Sequence, residues 1–475
     1  MPKVPSKTLQ QPFNKEKKSS TIIESILFEK HVKVWVLVAV MLLGALGTLL
    51  LAGAVRHIYI GGTLLGSYAG LVENVASFPS RMKALVTDHR GLRSRIANAD
   101  RFQGMSGFTF NYSPGSEPNA GYLLLNRYDG DLGFSVTELW DLNNQRQIHS
   151  WNFSKIDDLW SELTLKSARK DIKVDMAANR FGNIHALLDF EGNVYVSQGP
   201  LIKTDFCSTL SIVNQDSFYH HSLSMDHEGN LWTPSYIEPK SVDLGPFNFL
   251  DDAVAKISKS GTLLMERSIV QILKDNGLGY LVYGTGYSNF DPIHLNDIEP
   301  VINDGPFWEK GDIFLSVRNL SLVMLYRPSQ NKVLWHKRGP WLHQHDVDVL
   351  DDNRISIFNN NVRLKNVFDM QLLGPSNVAI YDFRTDAVTF PLQGAFDTLD
   401  IYTETNGLQE SHRGGFIIEE TIYGRISHFD ETESLRWQFV NRDNDGNIYH
   451  LAWSRVISNE LGESIDKRAS QQTCN

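Results

Sequence analysis

The sequence predicts an all-β protein, a six-bladed β-propeller, preceded by an N-terminal transmembrane helix and a helical juxtamembrane stalk. Three observations carry this expectation. An uncharged apolar run lies near the N-terminus, short β-type runs separated by turn residues fill the chain from Gly107 onward, and histidines lead a degenerate repeat inside that region. With 475 residues, 42% of them hydrophobic, the chain can bury a large core.

The apolar run extends from Val34 to Val55 and is long enough to cross a bilayer as a helix. Residues 1–33 before it are polar and carry Lys3, Lys7, Lys15, Lys17, Lys18, Lys30 and Lys33, whereas Arg56 is the one cation immediately after it. That bias keeps the tail cytoplasmic and sends the rest of the chain across the membrane. The run is too long and starts too late for a cleaved signal peptide. The expected location is a cell inner membrane, crossed once, with the main domain periplasmic or otherwise extracytoplasmic. Residues 56–106 read as the stalk, because Leu64 to about Phe102 has a helical pattern interrupted at Pro79.

Residues 107–475 read as the propeller domain. Runs such as 121–125, 193–197, 230–233 and 312–317 follow turn sequences of the Glu-Gly-Asn or Lys-Gly-Asp kind. A histidine precedes an alternating strand, then an acidic or glycine turn, then another strand. The pattern recurs at His185, His221, His294, His345 and His412. Edge strands ending in Trp151, Trp335 and Trp437 complete several units. About six four-stranded blades fit this length, and the innermost strand of each would line a central channel. The repeated histidines would then gather at its mouth.

The net charge of −10, spread along the chain, argues against a nucleic-acid partner. Cys207 and Cys474 form no metal-binding pattern, and whether they pair is left open. Asp443-Asn-Asp445-Gly446 lacks later calcium ligands and reads as a hairpin turn. Lys259-Ser-Gly-Thr262 separates two β-type runs, so it too reads as a turn rather than a phosphosulfate loop. No cofactor or metal is expected. His185 and His412 are read as structural.

The chemistry concentrates between Asp291 and Asn361. His294 and Asn296, Arg318, His343 and His345, and Asn359 to Asn361 all sit at strand boundaries. A neutral nucleophile, a fixed cation and amide donors suit transfer of an anionic group. Arg318, in an otherwise apolar strand, would be costly if buried without a partner, which favours an anion site.

His294-Leu-Asn296, Ser316-Val-Arg318 with Ser321, Gln344-His345-Asp346 closed by Phe358-Asn359-Asn360, and Arg436-Trp-Gln-Phe-Val-Asn441 resemble the arylsulfotransferases. The resemblance covers roughly residues 180–455. It implies a six-bladed propeller that moves a sulfuryl group from an aryl sulfate to a phenolic or other hydroxyl acceptor, without a nucleotide donor. By motif, His345 is the histidine that becomes sulfated, and Arg318 and Asn360 hold the sulfuryl oxygens. His294 and His221 assist proton transfer, and Asn359 and Asn296 complete the substrate-binding set. The pattern departs at Asn319, where a histidine is expected, and His220 beside His221 leaves the register there open. The implied partners are a small aryl sulfate, a hydroxyl acceptor and the membrane. The competing reading is a non-enzymatic anchored propeller that binds an acidic polysaccharide or a protein. A quinoprotein-like propeller is disfavoured, because the residues before Trp335 lack that family's docking pattern.

Overall fold

The computed structural model describes residues 33–59, 64–68, 71–72, 75–76, 78, 95–97, 99–165, 176–244, 249–284, 291–366 and 369–474. The chain divides into two units, Met1–Asp88 and His89–Asn475.

In the first unit the apolar run forms one helix, Val34–Tyr59. Leucine and alanine favour the helix, and the apolar side chains around it are left uncovered; Leu42, Leu43 and Leu50 are each more than 60% exposed. Val34–Ile58 is long and apolar enough to cross a membrane. The expected tail lies outside the described residues up to position 32, as does much of the expected stalk.

The second unit is a propeller-like array of antiparallel sheets. Three sheets have four strands. One joins Leu295–Pro300, Ile313–Val317, Leu322–Arg327 and Lys332–Arg338; a second joins Val347–Val349, Arg354–Asn359, Asn377–Asp382 and Ala387–Thr389. The third brings the late strand Arg455–Ile457 against Tyr122–Asp129, Phe134–Asp141 and Arg146–Asn152. A fourth sheet has five strands, because Gly107–Phe110 pairs with Leu435–Val440 at its outer edge. The count of separate blades therefore differs from the six expected. The remaining strands, from Leu187–Leu188 to Leu263–Ser268, merge into one eight-stranded sheet through Ser235 opposite Tyr219 and Tyr236 opposite Phe218. The physical reason is that the strand Leu210–Tyr219 is long, and its end bonds the neighbouring group's backbone. A two-stranded hairpin, Val362–Asn366 with Asp369–Leu372, is inserted in the second of the four-stranded sheets. Short helices Ile269–Asp275 and Tyr280–Tyr283 interrupt the β pattern.

Alternation along each strand puts one set of side chains between neighbouring sheets, where Trp151 and Trp437 are fully buried. Residues near 95–106, assigned to the stalk by their helical pattern, belong to this unit. Ile96 bridges Tyr449, and Phe102 packs with Ile422, Tyr423 and Val440. Cys207 and Cys474 are bonded, with Cα atoms 5.2 Å apart across 267 residues, so the pairing left open by the sequence is made. Close by, Leu461 and Ile465 of the C-terminal helix Asn459–Gln471 pack into a core with Phe206 and Trp151. Both suspected loop motifs are turns: Ser258 N–H donates to the Thr262 carbonyl, and Asp443 N–H to that of Asn447.

Candidate functional site

The backbone conformation ahead of the innermost strands decides where the histidines point. His221, His294 and His343 have φ of 57°, 55° and 50°, and each lies just before an innermost strand. A left-handed non-glycine residue costs about 1–2 kcal/mol and turns its side chain away from the strand alternation that would follow. Arg318 reaches the same place from the neighbouring strand, because its N–H donates to the His294 carbonyl at 3.1 Å. The rings of His221 and His294 lie 5.1 Å apart and edge to face.

Arg318 is the cation of the cluster. It is 6% exposed, and among the described residues no carboxylate pairs with it. Its Nη1 donates to Asn319 Oδ1 at 2.9 Å and its Nη2 to the thioether of Met370 at 3.1 Å, while Nε has no partner. Burial lowers its pKa to about 10, with Asp291 opposing the shift. Asn319, at the position where the family pattern has histidine, donates to the Asp291 carbonyl at 2.7 Å. It thus links Arg318 to the next pair.

That pair is His294 Nδ1 and Asp291 Oδ2, 2.5 Å apart. Burial pushes the Asp291 carboxyl up, but His294 and Arg318 outweigh it and leave it below the usual carboxylate range. The carboxylate holds Nδ1, and no bond to Nε2 is found among the described residues. At His221 a similar arrangement has one more member. Its Nδ1 lies 2.6 Å from His220 Nδ1, and His220 Nε2 is 3.2 Å from Asp252 Oδ1. Burial, with the nearby His220, His294, His345 and Arg318, holds His221 well below the normal imidazole range.

His345 is fully buried and bonded through both ring nitrogens. Nδ1 is 2.6 Å from Asn360 Oδ1, and Nε2 accepts the Asn406 N–H at 2.8 Å. Asn360 gives both amide hydrogens to the carbonyls of Thr403 and Asn406, so its oxygen must accept. His345 therefore carries its proton on Nδ1. Burial and Arg318 push its pKa well down.

Three residues expected to bind substrate, Asn360, Asn359 and Asn296, make hydrogen bonds within the protein. Asn360 has no free donor for a substrate oxygen; it orients His345 and ties down the segment Thr403–Asn406. Asn359 bonds Asn377, and its oxygen accepts from the N–H groups of Leu342 and Asn361. Asn296 donates to the Gln344 carbonyl at 3.1 Å, next to His345 in the chain, and its own side-chain oxygen has no partner. Of the remaining histidines, His343 bonds the Val362 carbonyl, and burial, then Arg318, lowers it to about 4. His185 accepts from Leu223 N–H and His412 donates to the Ala120 carbonyl, both away from this cluster. Sequence reasoning missed Asp252, Asn406 and Met370 as neighbours of the site. Asp291, three residues before His294, was the one partner whose spacing offered a signal.

A second electrostatic zone lies on the innermost strands. Asp297, Glu299, Asp346, Asp348 and Glu410 share it with Arg455. Burial first, and then neighbouring carboxylates, pushes Asp346, Asp348 and Glu299 well up. Asp297 rises to about 6 and Glu410 to about 7 through burial, partly offset by hydrogen bonds and by Arg455.

The arylsulfotransferase (ASST) family profile matches residues 181–442, more than half of the chain. The chain belongs to the arylsulfotransferase family. Every residue of the histidine–arginine cluster falls inside that match. No curated protein matched the sequence. Among solved structures, a chain of a nidogen–laminin complex covers 71% of this arylsulfotransferase-family chain and 99% of its own length, at 8% identity and a TM-score of 0.40. A protein of unknown function from Bacteroides caccae covers 70% and 98%, at 8% identity and 0.41. A chain of the mitotic checkpoint complex is matched over 63% of its length, at 11% identity and 0.32. At such scores the likeness carries no activity across.

Proposed function

We propose that this protein transfers a sulfuryl group from an aryl sulfate ester to a phenolic or other hydroxyl acceptor, through a sulfated histidine and without a nucleotide donor. The observation that carries the reading is Arg318: a buried guanidinium with an unpartnered Nε and, among the described residues, no carboxylate paired with it, close enough to lower the pKa of His221, His343 and His345. A buried unpaired cation is expensive, and an incoming sulfate oxygen would supply the missing partner.

In the first step, His345 Nε2 attacks sulfur. The S–O bond to the phenol breaks as the S–N bond forms, and His294 as the imidazolium, its Nδ1–H kept on the Asp291 carboxylate, gives its Nε2 proton to the departing oxygen. Asn360 keeps the remaining His345 proton on Nδ1, so the attacking nitrogen has a lone pair. Arg318 offsets the charge on the non-reacting oxygens, where a well-aimed donor is worth roughly 3 kcal/mol. Nε2 must first exchange the Asn406 N–H for the sulfuryl group. The reading therefore requires movement of the Thr403–Asn406 segment.

We read the eight-stranded sheet as two blades, which gives six. Left-handed residues stand ahead of six innermost strands, at His185, His221, His294, His343, Asn406 and Trp453, and support this division. We assign residues 34–55 as a single span with the tail cytoplasmic and the propeller extracytoplasmic. The lysine-rich flank and the Cys207–Cys474 bond support that placement.

Incubation of the full chain in detergent with a nitrophenyl sulfate, followed by intact mass measurement, tests the function. A sulfuryl-sized increase that His345→Ala removes is expected. A folded protein with neither adduct nor phenol release across several aryl sulfates would overturn it. The full engagement of both His345 nitrogens favours a second reading, an anchored propeller that only binds an anion at Arg318. Binding of sulfate without turnover would establish that alternative.

A further inference from the structure

We infer that Arg101 is a positioning residue that fastens residues 400–406 over His345, so that release of this segment sets how fast the nucleophile is sulfated. The inference rests on the sulfuryl-transfer reading above and assigns a role to residues outside the motif set.

Between the helix Gln393–Leu399 and the strand Leu408–His412 the chain has no regular structure, and there it covers the nucleophile. The covering bond has a fixed direction. The Asn406 backbone N–H can only donate, and His345 Nε2 accepts it at 2.8 Å. Asp400 and Asn406 are both left-handed, with φ of 50° and 58°. That conformation is uncommon outside glycine and persists where neighbouring groups hold it.

Two sets of bonds hold it. Asn360 donates to the carbonyls of Thr403 and Asn406, at 2.9 and 2.7 Å. The second set starts from Arg101, which lies ahead of the first strand on the side of the chain that comes from the apolar helix. Its Nη1 donates to the Tyr402 carbonyl at 3.1 Å and to Glu420 Oε1 at 2.8 Å, and its Nη2 donates to the Asp400 carbonyl. Glu420 Oε1 also accepts the Tyr402 N–H at 3.2 Å. The guanidinium lies 3.6 Å from the ring centre of Tyr402 and 4.6 Å from that of Tyr423. Tyr423 in turn donates its hydroxyl to the Glu404 carboxylate, at 3.0 and 2.9 Å. Arg101 is itself held in place, because Asp100 pairs with Arg442 and Phe102 packs on Ile422 and Tyr423.

Among the described residues, neither Arg101 nor Tyr423 bonds a member of the histidine–arginine cluster. Changes at these two positions therefore act on the cover and leave the reacting groups in place. Attack by Nε2 needs the lone pair that the Asn406 N–H occupies, so sulfation proceeds from the fraction of molecules in which the segment has lifted. Loosening a fastener raises that fraction. The expected sign is a gain of activity, which general damage to a fold does not produce.

Arg101→Lys keeps a cation beside Glu420 and loses the planar fork that spans two carbonyls. Tyr423→Phe keeps the ring and loses the bonds to Glu404. With the full chain in detergent and nitrophenyl sulfate, each variant is expected to release the first nitrophenol about tenfold faster than the parent. Hydrogen exchange of the peptide 400–408 should accelerate by a similar factor, since one opening governs both. Faster exchange without faster sulfation would overturn the inference, because the segment would not gate His345. Unchanged exchange in both variants would overturn it too, because Arg101 and Tyr423 would not be what holds the segment. If Arg101→Lys does not fold, Tyr423→Phe decides by the same two readings. If the parent releases no nitrophenol, the functional reading fails, while exchange still decides whether Arg101 fastens the segment.

Discussion

Arg318 donates from Nη2 to the Sδ of Met370 at 3.1 Å, although Arg318 follows a strand of one sheet and Met370 lies in another. A thioether is a weak acceptor, so the guanidinium is covered without being neutralised. Met370 lies on the inserted hairpin, which thereby reaches over the cation from the next sheet. An anionic substrate can displace such a cover where it could not displace a carboxylate.

That contrast is testable. Met370→Glu is expected to tie Arg318 into an ion pair and lower kcat/KM by about 100-fold, roughly the effect of losing one oxyanion donor. Met370→Leu keeps the bulk and is expected to change it by less than about fivefold. Steady-state assays with one aryl sulfate and one phenol check both. A Glu variant as active as the parent would mean that Arg318 is not the anion's partner.

Stability and activity should part at Arg318 itself. Arg318→Met removes a buried cation that lacks a carboxylate partner, so chemical denaturation should show equal or higher stability, by about 1 kcal/mol. Activity should fall to background. A variant that unfolds instead would make the arginine a structural residue.

Asn360 is expected to matter through shape. Its side chain makes three hydrogen bonds, one to His345 and two to the carbonyls of Thr403 and Asn406. Asn360→Ala leaves buried polar groups unpaired and should cost about 2–3 kcal/mol. Hydrogen exchange at the Asn406 amide should accelerate more than at the strand Arg354–Asn359. Uniform loss of protection would instead indicate global destabilisation.

The acidic zone predicts a pH dependence of stability. Folding raises Glu410 from 4.5 to about 7, mainly by burial, so the folded state holds its proton more tightly. The resulting stability is fully present below pH 4.5 and is lost as pH rises through about 7. Glu410→Gln cannot ionise and should exceed the parent at pH 8 by up to roughly 3 kcal/mol, with the difference vanishing near pH 4. Denaturant midpoints across that range decide it.

The sheet texture was legible because turn sequences such as Glu191-Gly-Asn193 mark strand ends locally. His221, His294, Arg318 and His345 each occupy a strand boundary in the sequence, and in the structure they lie near one another. What could not be read was how each side chain spends its hydrogen bonds. Asn360 looks like a donor in sequence, yet its partners lie 43 and 46 residues away. Asp252 is 32 positions from His220, and no local spacing announces that pairing. Residues near 95–106 have a helical pattern, but Phe102 gains more by burial against Ile422 and Tyr423 than a helix there would provide.

The strand Arg455–Ile457 pairs with Tyr122–Leu124, so one sheet is built from both ends of the domain. Synthesis delivers Tyr122 long before Arg455. Until the last strand emerges, the ring has an open seam and the backbone edge of Tyr122–Leu124 is bare to any strand nearby. A chain stopped anywhere before residue 455 should therefore be substrate for proteases and chaperones rather than a shorter working protein.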